Sequence, residues 1–132
     1  MRADIIVGRL ATGIGQGRHF TRLEWARRQF IEKLAIDPFP GTVNVIVDDA
    51  GSLAVWARLA AEPGVRIDNP ADGPHDCDAR CYLVSIEGGI DAAIVLPEVA
   101  GYPSALIEVI AAADIRDALG IADGDRVTLA IR

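Results

Sequence analysis

From Ala79 to the C-terminus the sequence runs as short apolar stretches, rich in Ile, Val and Leu, broken by tight turns, and this constrains the fold more than any other feature. Arg80 to Glu87, Ile90 to Leu96 and Ala105 to Ala112 read as strands, and Val127 to Ile131 as a closing strand. Gly88-Gly89 suits a hairpin turn, because glycine reaches positive φ at little cost. Asp114 can cap a short helix from Ile115 to Leu119, with Gly120 just past its end. Asp123-Gly124-Asp125 forms a further turn.

The N-terminal half alternates strands with helices. Ala3 to Leu10 reads as a strand. Leu23, Ala26, Phe30 and Leu34 recur at spacings of three and four, which predicts a helix to about Ala35. Thr21 and Glu24 have the spacing of a capping box at its start. Asp37-Pro38-Phe39-Pro40-Gly41 must end it, since two prolines cannot continue a helix. Thr42 to Asp48 follows as a strand with Thr42, Asn44 and Ile46 on one face and Val43, Val45 and Val47 on the other. A second helix is expected from Ser52 to Ala61, with Leu53, Trp56 and Ala60 on one stripe. The segment Pro63 to Asp78 reads mostly as loop, with a short strand from Val65 to Ile67. Roughly six strands and two or three helices in one small unit predict a mainly β fold, a β-barrel with short helices whose closure removes exposed edges.

The 132 residues suit a single domain spanning 1–132, and 51% hydrophobic composition opposes disorder. No apolar run approaches the roughly 18 residues needed to cross a bilayer, and the N-terminus lacks a secretory signal, so a cytoplasmic protein is expected. The formal net charge of −6 and 5% aromatic content oppose nucleic-acid and membrane-surface binding. His75, Cys77 and Cys81 have a passing likeness to zinc ligands. No second Cys/His pair exists to close a tetrahedral site, so a polar loop with reduced thiols is expected instead.

Three segments carry candidate chemistry. Gly13, Gly15 and Gly17, followed by Arg18, can present backbone N–H groups and a fixed charge to an anion, or form a plain turn. Thr42 and Asn44, two residues apart on a strand, offer two neutral oxygens to magnesium, or simply line a polar barrel face. Glu108 is the one charge in the run from Ala105 to Ala111, so its carboxylate either meets solvent or lines a site as a general base.

In order and spacing, Gly13 to Phe20, Pro40 to Asn44, Tyr102-Pro103, Ile107 to Ala111, Ile115-Arg116 and Gly124-Asp125 together resemble the archaeal-type CTP-dependent riboflavin kinase family. The resemblance implies a six-stranded cradle-loop barrel that transfers the γ-phosphate of CTP to the 5′-hydroxyl of riboflavin, giving FMN and CDP. The family's nucleotide-binding residues correspond to Ile14, Gly15, Gln16, Gly17, Arg18 and His19 and to Ala113, Asp114, Ile115 and Arg116. Its metal ligands, for Mg2+, correspond to Thr42 and Asn44, and its flavin-contacting positions to Ala100 and Glu108, the latter also the expected catalytic base.

The chain departs from the family at Gln16, where glutamate is common, at His19, where an aromatic is common, and at Ala100, where threonine is common. The lost hydroxyl at Ala100 removes one flavin hydrogen bond, worth about 0.5–1.5 kcal/mol. Two other readings follow: the same barrel holding a flavin or nucleotide without catalysis, and a swapped-hairpin DNA-binding protein suggested by Leu119 to Val127, which the negative charge opposes.

Overall fold

The computed structural model describes residues 4–12, 21, 23–40, 42–70 and 77–132. Seven strands and three helices follow in the order β1 (Ile5–Ala11), α1 (Glu24–Leu34), β2 (Val43–Ile46), α2 (Ala50–Ala60), β3 (Val65–Ile67), β4 (Ala79–Ile86), β5 (Ile90–Pro97), β6 (Leu106–Ala111), α3 (Ile115–Leu119) and β7 (Arg126–Ile131). Six of the strands form an antiparallel ring, β4-β5-β6-β2-β1-β7, which closes where β7 returns to β4 at Val84↔Ile131. The first half of β4 pairs instead with β3, at Val65↔Cys81. The fold is therefore mainly β, a closed six-stranded barrel with short helices, as the strand pattern predicts.

Side-chain alternation sorts the apolar residues into two clusters. Val43, Val45, Val84, Ile94, Val109 and Leu129 point inward, and α2 adds Trp56 and Leu59 to them. The Trp56 ring meets Tyr82 edge-on, with centroids 6.0 Å apart. The outward cluster joins Cys81, Val95 and Ile110 of the barrel to Ala26, Phe30 and Leu34 of α1, the helical stripe read from the sequence. Gly8 marks a close approach of β1 to β2, since a Cβ there would lie 2.5 Å from Val45 Cγ1 and 2.6 Å from the Ile46 carbonyl oxygen. Helix α2 is fixed at its start twice. Asp49 caps it by accepting from the Ser52 N–H at 2.8 Å, and Ser52 Oγ accepts from the Val7 N–H at 2.9 Å.

Three local expectations are corrected. The N-cap of α1 is Leu23 rather than Thr21, with no side-chain cap, and Leu23 packs against the outward cluster. Helix α2 begins at Ala50 rather than Ser52, since Asp49 supplies the cap. The β4–β5 turn is built on Glu87 and Gly88, both at positive φ, with the Gly89 N–H donating to the Ile86 carbonyl, one residue earlier than Gly88-Gly89 suggests. Helix α3 runs from Ile115 to Leu119 with Asp114 and Gly120 at its ends, as expected.

Candidate active site

One row of paired residues positions the site. Ala11 faces Asn44, Asn44 faces Glu108, Glu108 faces Val95, and Val95 faces Cys81 across β1, β2, β6, β5 and β4. Helix α1 covers the apolar members, Val95 and Cys81, and burial pushes the Cys81 thiol up to about 12. Farther along the same face the row turns polar at Glu108 and Asn44. Both are nonetheless buried, at 1% and 6% exposure. A carboxylate so enclosed must be hydrogen-bonded or charge-compensated.

Two hydroxyls meet it. The Tyr102 phenol donates to Glu108 Oε2, and the Thr42 hydroxyl lies 3.4 Å from Glu108 Oε1. Burial first, then the bond to Glu108, raises the Tyr102 pKa, so the phenol stays protonated and acts as a donor. Thr42 Oγ1 also lies 3.3 Å from Asn44 Oδ1. One hydroxyl proton thus faces two acceptors, each beyond the roughly 2.7–2.8 Å of a good O–H···O bond. The hydroxyl, amide and carboxylate oxygens gathered here are of the kind that a hard divalent cation such as Mg2+ takes. Among the described residues no three His, Cys, Asp or Glu side chains gather to hold a metal, so a cation here would draw further ligands from a substrate or water.

Thr42 and Tyr102 open onto different spaces. Thr42 lines a cavity of about 210 Å³ together with Phe39, Pro40, Ala113, Asp114 and Arg116. Tyr102 lines a second, of about 490 Å³, between Trp56, Ala57 and Ala60 of α2 and the β5–β6 connection. Arg80 braces this second cavity. Its Nη1 donates to the carbonyls of Ala60 and Glu62 at 2.9 and 2.8 Å, and its Nε sits 3.0 Å from Glu98 Oε1 in ion-pair contact, its N–H not aimed at the carboxylate. The chain Tyr102–Glu108–Thr42 therefore links the linings of two cavities.

The residues singled out from sequence are distributed as follows. Thr42, Asn44 and Glu108 converge. Ala113, Asp114, Ile115 and Arg116 line the smaller cavity. Arg116 is also a clamp: its Nη2 donates to Thr12 Oγ1 at 2.7 Å and to the Ala11 carbonyl at 3.2 Å, and pairs with Asp123 at 2.7 Å. That fixes the residues leading into the glycine segment. Ala100 is exposed, between Val99 and Gly101, which line the larger cavity. Ile14, Gly15, Gln16, Gly17, Arg18 and His19 lie outside the described residues, as does His75. In the sequence Tyr102 stands only as part of a Tyr-Pro motif, with no role of its own. Its signal was a bulky phenol placed shortly before a carboxylate-bearing strand, and only the loop geometry aims one at the other.

The arrangement is a closed barrel with a buried, hydroxyl-flanked carboxylate between two cavities. A family model for CTP-dependent riboflavin kinases, described as a domain of unknown function, DUF120, matches residues 10–131, and the chain belongs to that family. It is 44% identical over 126 residues to a riboflavin kinase of Methanosarcina mazei, covering 95% of this chain and 55% of that protein. A riboflavin kinase of Archaeoglobus fulgidus is 35% identical over 127 residues, covering 96% and 54%, and one of Haloquadratum walsbyi 32% identical over 132 residues, covering 96% and 56%. The chain thus spans about half the length of the curated relatives it matches. No helix among the described residues is long and apolar enough to cross a membrane.

Proposed function

We propose that this chain carries the catalytic barrel of a CTP-dependent riboflavin kinase, transferring the γ-phosphoryl group of CTP to the 5′-hydroxyl of riboflavin. The observation that carries the reading is the link between the two cavities: Thr42 at the smaller, Tyr102 at the larger, and Glu108 hydrogen-bonded between them. A phosphoryl transfer needs donor and acceptor on opposite sides of one reacting centre, with little covalent work for the protein.

In this scheme the nucleotide lies in the smaller cavity, against Ala113 to Arg116 and the glycine segment from Ile14 to His19. Riboflavin takes the larger one, beside Ala100. The ribityl oxygen forms a bond to the γ-phosphorus as the bond from that phosphorus to the β–γ bridging oxygen breaks, and CDP leaves. Glu108 receives the hydroxyl proton as the new bond forms. Thr42 Oγ1 and Asn44 Oδ1 would hold Mg2+, which supplies charge neutralisation to phosphate oxygens when bound.

The test is an assay of FMN formation from riboflavin with magnesium, comparing CTP, ATP, GTP and UTP. FMN made chiefly from CTP, and lost in a Thr42→Ala, Asn44→Ala double variant, is the expected result. Flavin or CDP binding without FMN from any nucleotide would sink the kinase reading and leave a binding module.

A further inference from the structure

Phe39 has no part in the scheme above, yet among the described residues it is one of few large apolar side chains left open to solvent, at 46% exposure. Its neighbours explain why the ring cannot retreat. Pro38 fixes the chain on one side, and Pro40 restricts Phe39 itself to extended backbone. Its N–H donates to the Ala111 carbonyl at 2.8 Å, which ties the segment to the end of β6. A rigid, tethered Pro-Phe-Pro stretch thus presents an aromatic ring to the smaller cavity, and among the described lining of that cavity it is the only aromatic.

Of the other apolar residues around this space, Val43, Val109, Ala111 and Ile115 are buried barrel and helix positions, while Pro40 and Ala113 are exposed but offer no aromatic face. An exposed ring held by stiff backbone loses little conformational freedom when a flat ligand covers it, so its stacking energy is retained as affinity. Thr42 lies three residues further on, at most about 10 Å along the chain. That is the scale separating the terminal phosphates of a nucleotide from its base.

We infer that Phe39 is the stacking platform for the base of the nucleotide substrate. The inference rests on the nucleotide reading of the smaller cavity and goes beyond it in naming the residue that grips the base. Stacking is tolerant of base identity, because each base has a π-face. Phe39 therefore contributes affinity for nucleotides as a class, while discrimination between them falls to polar groups.

The experiment is calorimetric titration of wild type, Phe39→Leu and Phe39→Trp with CDP, with inorganic tripolyphosphate and with riboflavin, each in the presence of magnesium. Thermal melts of all three proteins check that the fold is kept. Phe39→Leu is expected to weaken CDP roughly tenfold while leaving tripolyphosphate and riboflavin unchanged. Phe39→Trp is expected to bind CDP at least as well as wild type, with its added indole fluorescence quenched by the base. Equal weakening of CDP and tripolyphosphate, loss of riboflavin rather than CDP, or no change at all would each overturn the assignment. A wild-type protein that binds neither CDP nor tripolyphosphate would refute the nucleotide reading itself, a different failure from CDP binding that ignores Phe39.

Discussion

Tyr102 sets what Glu108 can do. A buried carboxylate facing only acceptors would repel them, and the phenol supplies a donor whose own proton is held firmly by its raised pKa. Tyr102→Phe removes that donor and keeps the ring. It is expected to cost about 1–3 kcal/mol of stability, the penalty of removing a hydrogen bond to a buried carboxylate, and to slow FMN formation by loosening the carboxylate. Denaturant midpoints and turnover of the variant check this, and a variant as stable and active as wild type would mean that the phenol is not holding Glu108. Thr42, Asn44 and Glu108 were each singled out in the sequence, the first two by their alternation and the third by interrupting an apolar run, but their meeting depends on the β2–β6 pairing. The phenol was not. Its contact with Glu108 depends on the path of the β5–β6 connection, which leaves no periodic trace.

Among the elements, the end of β1 is joined to helix α3 and the α3–β7 turn. Thr12 and Arg116 both bond Asp123, and the hydroxyl first, then the guanidinium, holds its carboxyl below the ordinary 3.8. A depressed carboxyl pKa gives stability that is fully present above the ordinary value and is lost as pH falls through the lowered one. Asp123→Asn is therefore expected to melt below wild type at neutral pH, with the difference shrinking as pH drops below 3.8. Thermal melts of both proteins across that range measure it, and a difference independent of pH would remove the charge from the account. The α3 helix itself was readable in advance from Asp114 and Gly120, whose side chain and left-handed backbone mark its two ends. The start of α1 was misread for a physical reason. Thr21 and Glu24 have capping-box spacing, but the N-cap falls at Leu23, which is partly buried against the outward cluster.

For the whole molecule, closure is what brings the site together. The apolar runs announced the individual strands and, with turns between them, an antiparallel barrel. Which strands pair was hidden. The β4–β7 seam joins Val84 to Ile131, and β2 inserts between β1 and β6, pairings between segments far apart in sequence that no local pattern encodes. Yet that register places Asn44 beside Glu108 and sets Thr42 and Tyr102 at separate cavities. Among the described residues, the barrel wall thereby holds one buried carboxylate, Glu108, between the two cavities. The direct test is FMN formation by wild type and Glu108→Gln at saturating CTP, riboflavin and magnesium, with CDP binding measured alongside. The account predicts unchanged CDP affinity and FMN formation at least roughly 100-fold slower in the variant. Turnover at the wild-type rate in Glu108→Gln would contradict it, because no proton acceptor would then be needed at the point where the two cavities meet.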